Sequence, residues 1–399
     1  MLTSDVNHPN DSVELLRTLV GFDTTSRNSN LELIEFVANY LESCGIAPTL
    51  VHSEDGRKAN LLATVGPEDQ SGVVLSGHTD VVPVDGQEWA TDPFTLEERE
   101  GMLFGRGTCD MKGFIAVALA YAPVFAAAKL QCPIHYCLSY DEEVGCLGVR
   151  SLVPHLRALP AKPRLCVVGE PTQMRVVIGH KGKVATRCHV EGHSCHSSLA
   201  PRGVNAVEYA AELVVQLKRM AERKAVEGPF DPSFDVPHTT VHTGRINGGT
   251  ALNIVPAEAH FDFEFRHLAA DDPNTLLKEL QKHARDKLEP IMRSVQPHTG
   301  VQWETIFSFP GLDTAEDADA VRLSKQLARQ NATSRVAFGT EAGIFQREAG
   351  IPTVVCGPGD IAQAHKADEF CAVSQIEACE MFMDHLARFA VSDGGNSYA

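Results

Sequence analysis

The side chains in this sequence that can do chemistry are acids and imidazoles, and they fall at the ends of short apolar runs. His78 and Asp80 close the run VVLSGH in SGHTDVVP. Asp110 follows in GRGTCDMKG, just ahead of an apolar helical stretch. Glu142 and Glu143 close the run in LSYDEEVG, Glu170 closes VVGE, and His365 lies in the loop GPGDIAQAH. In open α/β sheets ligands gather beyond the carboxyl ends of the strands, so separate segments deliver these groups to one edge. Taken singly each residue is ordinary: a lone histidine is usually a surface or satisfied core residue, and adjacent glutamates are usually a solvated turn. Taken together they are not, because clustered anions raise one another's pKa values unless a cation neutralises them. Two histidines with three carboxylates suit divalent zinc, cobalt or manganese, and imidazole favours zinc. With Asp110 bridging, five such ligands would serve two ions. Paired ions of this kind sit about 3.5–4 Å apart and keep positions open for water and substrate.

The elements that must position these groups follow from the apolar pattern. Ser29 and Glu32 form a capping box that opens a helix with Ile34, Val37 and Leu41 on its apolar side, ending at Gly45. The runs 61–65, 73–78, 134–140 and 165–170 read as buried strands, with a helix over 112–129 between the second and third. Strands alternating with helices predict an α/β domain with a mostly parallel sheet and helices on both faces. From Val184 the pattern changes to strand, helix (205–224), strand (239–246), strand, helix (275–288) and strand (301–306). In HFDFEFRH, apolar and polar residues alternate strictly, as in a strand with one face in water. The order β-α-β-β-α-β is a ferredoxin-like unit. After it the α/β style resumes with a helix over 316–330, the runs VAFGTE and TVVCGP, and a final helix over 375–391. The expected organisation is a discontinuous catalytic domain over 1–180 and 309–399, with residues 181–308 inserted as a smaller α+β domain.

Composition narrows the classes of function. A hydrophobic fraction of 43% is ample for packed cores, and a formal charge of −17 excludes a nucleic-acid partner that needs a concentrated basic surface. The first nineteen residues show no basic and apolar secretory pattern. The most apolar run, FIAVALAYAPVFAAA, is too short to span a bilayer, contains Pro123, and reads as a buried helix. Eleven cysteines without CxxC pairs fit reduced thiols in a cytoplasmic protein without membrane association. The charged runs EEREG (97–101) and KRMAERK (218–224) read as a solvated loop and the exposed face of a helix. The apolar Leu213, Val214 and Leu217 of that helix face either inward or another subunit.

The motifs SGHTDVVP, GRGTCDMKGF, DEEVGCLG, GEPT, HSCHSS, TEAG and GPGDIAQAHKADE, in this order, resemble those of the M20 metallopeptidase and amidohydrolase family. The likeness runs over essentially the whole chain and is nearest to the family's acetylornithine deacetylase branch. The resemblance implies a zinc-peptidase-like catalytic domain with an inserted lid and dimerisation domain, and therefore a homodimer. It implies that His78 and Glu170 hold one metal, Glu143 and His365 the other, and that Asp110 bridges them. Glu142 would be the general base and Asp80 the carboxylate that orients His78. Backbone geometry is compatible with both roles: Asp80 stands two residues beyond His78 on the same side of an extended strand, and Glu142 points away from its ligand neighbour. His196 in HSCHSS resembles the family histidine that reaches into a partner's active site to stabilise the oxyanion. Arg266 suits a substrate carboxylate, Asn253 in GGTALNIVP matches a position near the acyl group, and Thr340 lies in a stretch offering backbone or hydroxyl contacts. The implied reaction is hydrolysis of N2-acetyl-L-ornithine, a small N-acyl amino acid, to L-ornithine and acetate in arginine biosynthesis. The competing expectations are another M20 amidohydrolase (aminoacylase, succinyl-diaminopimelate desuccinylase or dipeptidase) and an inactive metal-binding regulatory homologue.

Overall fold

A computed structural model describes residues 9–392. The first eight residues, on which the reading of a missing secretory pattern partly rests, lie outside the described residues. The chain divides into two compact units: one runs up to Gly179 and resumes over Leu312–Arg335 and from Thr340 onward, and the other comprises His180–Gly311 with Val336–Gly339.

The first unit is built on a nine-stranded sheet. Its path is Pro48–His52, Ala59–Val65, Ile134–Ser139, Val73–His78, Leu165–Pro171, Thr353–Gly357, Val176–His180 and Leu312–Asp313, with Thr333–Val336 beside Val176–His180. The four central strands, from Ile134–Ser139 to Thr353–Gly357, pair in parallel, while Ala59–Val65 is antiparallel to both its neighbours and Val176–His180 is antiparallel to Thr353–Gly357. Every residue of the four central strands is buried, the mark of a sheet covered on both faces, which is why they read as unbroken apolar runs rather than alternating ones. The helix Lys112–Ala120 is buried along its whole length; even the Lys112 ammonium is inside, donating to the Phe22 carbonyl at 2.8 Å. At one point backbone and side chain meet so closely that only glycine fits: a Cβ on Gly169 would lie 2.0 Å from the Phe114 ring.

Several local expectations need correction. The single helix expected over 112–129 is two, Lys112–Ala120 and Ala122–Ala127, and the second begins with Pro123 in its first turn, where a missing N–H costs nothing. The capping box at Ser29 and Glu32 does not form. The helix is Leu31–Ser43 with Asn30 at its N-cap, and the Asn30 amide is taken instead by the strand beside it, exchanging hydrogen bonds of 2.8 and 3.0 Å with the Ala59 backbone. The stop at Gly45 stands, with φ +79° in the left-handed region. The run EEREG is not a free loop but the turn of a hairpin, Glu97–Arg99 paired with Met102–Phe104, extended by Phe370–Ala372 into a three-stranded sheet. Glu100 and Gly101 both have positive φ, as a two-residue hairpin turn of this hand requires.

The second unit is a four-stranded antiparallel sheet in the order Thr240–Gly248, Glu258–His267, Gly182–Glu191, Gly300–Phe309. Its helices are Ala206–Glu227 and Pro273–His283, the latter continuing through a wide turn into Glu289–Val295. Chain order and sheet order together make it ferredoxin-like. Along Glu258–His267 burial alternates strictly, placing Phe261, Phe263 and Phe265 inward, and Leu213 and Leu217 of the long helix belong to the same core. At roughly 1.5–3 kcal/mol for each fully buried large apolar side chain, these residues anchor the unit. The opposite face carries ion pairs, such as Arg187 to Asp262 at 2.7 Å and Lys183 to Glu264 at 2.9 Å. None of the eleven cysteines is bonded to another, and nine of them are buried. Among the described residues no helix is long and apolar enough to cross a membrane.

Candidate functional site

Parallel pairing is what assembles the site. His78 is the last residue of Val73–His78, Glu170 sits near the end of Leu165–Pro171, and Glu142 and Glu143 follow Ile134–Ser139, the strand on the other side of Val73–His78. Asp110 immediately precedes the central helix, across a cis peptide bond to Met111. His365 comes from the loop after Thr353–Gly357, just beyond the short turn Ile361–Gln363.

Asp110 occupies the middle. Its Oδ1 lies 3.0 Å from His78 Nε2, and its Oδ2 lies 3.2 Å from His365 Nε2. Each histidine has a further glutamate: His78 Nε2 is 3.6 Å from Glu170 Oε1, and His365 Nε2 is 3.1 Å from Glu143 Oε1. Two donor groups result, His78–Asp110–Glu170 and Asp110–Glu143–His365, the ligand atoms of each lying within 4.8 Å of one another. His78, Asp110 and Glu170 are buried, whereas the His365 ring is 52% exposed.

The electrostatics are those of an acidic cluster seeking positive charge. Burial, then the charge of Glu143 and its neighbours, raises the Glu142 carboxyl well above its ordinary range, and burial with Asp110 does the same to Glu170. Glu143 is pushed up to about 7 by burial and the charge of Asp110. Burial also opposes charge on Asp110, but hydrogen bonds from His365 and His78 overcome it and hold that carboxyl below the usual carboxylate range. His365 is raised to about 10 by its bonds to Asp110 and Glu143. Burial works against charge on His78, yet Asp110 and Asp80 outweigh it and lift the ring above its ordinary value. The imidazoles here are drawn toward serving as the cations that the carboxylates lack. A nitrogen and oxygen donor set, buried, convergent and carrying excess negative charge, fits two divalent ions.

The surrounding layer adds a backbone partner for His78 and residues that sequence reasoning missed. The His78 ring is held chiefly by the backbone of Asp80: Nδ1–H donates to the Asp80 carbonyl at 2.9 Å, and the carboxylate stands farther off at 3.6 Å. The Asp80 carboxylate accepts the backbone N–H groups of Glu142 and Glu143 at 3.0 and 3.3 Å and the Ser26 hydroxyl at 2.7 Å. The Cys146 thiol donates to Glu142 Oε1 at 3.4 Å. Glu369, fully buried, accepts the N–H groups of Cys109 and Asp110 on one oxygen, both at 3.0 Å. Its sequence signal was its place in HKADE, four residues after His365. Glu341 is a second missed acid. It accepts the Ser139 hydroxyl at 2.9 Å, its other oxygen is buried without a hydrogen-bond partner, and burial pushes it to about 7. Thr340, expected to offer backbone or hydroxyl contacts, is fully buried with its hydroxyl accepting the Ala342 N–H at 3.0 Å.

The remaining candidates lie in the second unit. His196 is exposed and heads the turn Ser197–Arg202, its Nδ1 accepting the Ser198 N–H at 3.2 Å. Asn253 is beside it, since the Ser197 N–H donates to the Asn253 carbonyl at 3.0 Å and His196 bridges Ile254. Arg266 is not with them. It stands at the far end of Glu258–His267, with Nε donating to Glu264 at 2.8 Å.

Residues 74–388 match the description of Peptidase family M20/M25/M40. Acetylornithine deacetylase of Pasteurella multocida (strain Pm70) is 34% identical over 370 residues, covering 92% of this chain and 94% of that protein. The Myxococcus xanthus protein of the same name is 34% identical over 370 residues, covering 92% and 93%. Among solved structures, an M20 family metallo-carboxypeptidase from Sulfolobus solfataricus superposes with a TM-score of 0.74 at 16% identity, over 96% of this chain and 99% of that one. Human carnosine dipeptidase 1 gives a TM-score of 0.69 at 16% identity, over 95% and 96%. The structural likenesses speak for the fold.

Proposed function

This chain belongs to peptidase family M20/M25/M40 and is a hydrolase, and from that premise we propose that it removes the acetyl group of N2-acetyl-L-ornithine, yielding L-ornithine and acetate. The observation that carries the reading is Asp110, which gives one carboxylate oxygen to each of two histidines that each face a further glutamate. The choice of substrate is supported by the deacetylases named above, which align with nearly the full chain.

His78 and Glu170 would hold one divalent ion, Glu143 and His365 the other, and Asp110 both, with zinc favoured by imidazole and cobalt or manganese sharing the donor set. Such a pair supplies Lewis acidity toward the scissile carbonyl and draws the pKa of water toward neutrality. Glu142 does the proton work. It takes a proton as the water oxygen adds to the acetyl carbon, and returns one to the α-nitrogen as the C–N bond breaks. Asp80 fixes the backbone of Glu142 and Glu143, and through its carbonyl the tautomer of His78 that leaves Nε2 free for the site. To the second unit the reading assigns chemistry alone: His196 to the developing oxyanion, Arg266 to the substrate carboxylate, Asn253 to the acyl end. Thr340 contributes through its backbone. The reading extends to a cytoplasmic homodimer joined through the second unit and acting in arginine biosynthesis.

Dipeptide hydrolysis is the second reading, favoured by the fold likeness to carnosine dipeptidase 1. The discriminating experiment is a panel of acetylornithine, acetylmethionine, succinyl-diaminopimelate and a dipeptide, assayed with added zinc or cobalt and again after chelation. Acetylornithine is expected to give the highest kcat/KM, with turnover lost on chelation. Preference for the dipeptide would transfer the assignment, and no turnover of any member would leave a metal-binding protein.

A further inference from the structure

One buried guanidinium reaches both sides of the His365 loop. Arg106 is 1% exposed. Its Nη1 donates to Glu369 Oε2 at 2.6 Å and to the Lys366 carbonyl at 3.2 Å, and its Nη2 donates to Gln87 Oε1 at 2.6 Å. Gln87 in turn donates from Nε2 to the His365 carbonyl at 3.0 Å, and the Trp89 indole N–H, with its ring 5.0 Å from the guanidinium, donates to Gln87 Oε1 at 3.1 Å. The Ala90 N–H completes the tie by donating to Asp368 at 2.9 Å.

This bracing matters because of how His365 is held. It is not part of a strand; its backbone has φ +65°, and Asp368 nearby has φ +54°. Non-glycine residues persist in the left-handed region only when their surroundings over-determine them. His78 and Glu170 need no such brace, since both belong to central strands of the sheet.

We propose that Gln87, oriented by Arg106, is a positioning residue that sets the affinity of the Asp110–Glu143–His365 ion position while leaving the His78–Asp110–Glu170 position unaffected. The inference rests on the two-ion reading above. Glu369 extends the relay to Asp110, so Arg106 touches both halves, whereas Gln87, which also accepts from Arg106 and Trp89, meets the ion ligands only at the His365 carbonyl and is the cleaner handle. Gln87 is half-buried in a loop.

The test is titration of cobalt(II) into the metal-stripped full-length protein, followed by calorimetry and by the visible absorption of bound cobalt. Three proteins are compared: the native one, Gln87→Ala, and Gln87→Met, which keeps the bulk and removes both polar atoms. The native protein is expected to take up two cobalt ions. In both variants the first ion binds as in the native protein and the second binds about 10–100-fold more weakly, the usual cost of losing an outer hydrogen-bond partner. Native affinity for both ions in Gln87→Met, or equal weakening of both, overturns the positioning role and leaves the two-ion reading intact. Failure of the native protein to bind a pair overturns both.

Discussion

The carboxylate of Asp80 accepts the backbone N–H of Glu142 at 3.0 Å, so the segment carrying the proposed base is pinned to the strand that ends in His78. The same carboxylate takes the Glu143 N–H and the Ser26 hydroxyl. Asp80 therefore acts at least as much on the glutamates as on the histidine.

That division of labour predicts a graded series. Asp80→Ala frees both glutamate amides and should lower kcat/KM for acetylornithine by about 10–100-fold. Asp80→Asn retains an acceptor oxygen and should lose less. Steady-state kinetics with cobalt content measured in parallel checks the order, and equal losses in the two variants would remove the hydrogen-bond explanation.

Glu142→Ala should keep two cobalt ions, since Glu142 belongs to neither donor group, yet turn over at least ~100-fold more slowly. The effect should fall on kcat more than on KM. Unchanged turnover would remove Glu142 from the proton path.

Gly169→Ala forces a Cβ to within 2.0 Å of the Phe114 ring, immediately beside Glu170. Overpacking of this kind costs about 1–3 kcal/mol. Urea denaturation should register that loss, and cobalt titration should show the ion held by Glu170 weakened before the other one.

Glu341 predicts a pH dependence. Its folded carboxyl sits at about 7, above the ordinary value of 4.5, so between these values the folded protein binds more protons than the unfolded chain. Stability from this group is therefore greatest below about pH 4.5, falls as pH rises, and is gone above about 7, a change of roughly 3 kcal/mol at 1.36 kcal/mol per unit. Thermal unfolding of the metal-stripped protein between pH 5 and 8 should be less pH-dependent in Glu341→Gln than in the native chain. Parallel curves would show that Glu341 titrates normally.

What could be read from residues alone was whatever local chemistry determines. The runs ending in His78, Glu142 and Glu170 were visible because buried parallel strands are apolar throughout, so a charged residue at the end of one stands out. The ferredoxin-like order was visible because HFDFEFRH alternates and the helices around it are amphipathic. Features that depend on distant partners were not. Asn30 stands at a helix start with its amide bonded to Ala59, 29 residues away, and Arg106 meets Glu369 across 263 residues, so nothing near either one reveals the pair. Phe370–Ala372 is a three-residue strand that exists only against the Met102–Phe104 hairpin.

The parallel pairing of Leu165–Pro171 with Thr353–Gly357 also bears on how the molecule comes into being. The Gly357 N–H donates to the Thr172 hydroxyl across 185 residues of chain, and the whole second unit lies between those partners. The segment His180–Gly311 carries all four strands of the second sheet and closes shorter loops as a chain emerges from the ribosome, whereas the sheet of the first unit must wait for a late strand. His365 arrives later still. The nascent chain thus lacks one ligand of the Asp110–Glu143–His365 group until almost all of it has been synthesised, and a product truncated before His365 carries only the His78–Asp110–Glu170 group entire.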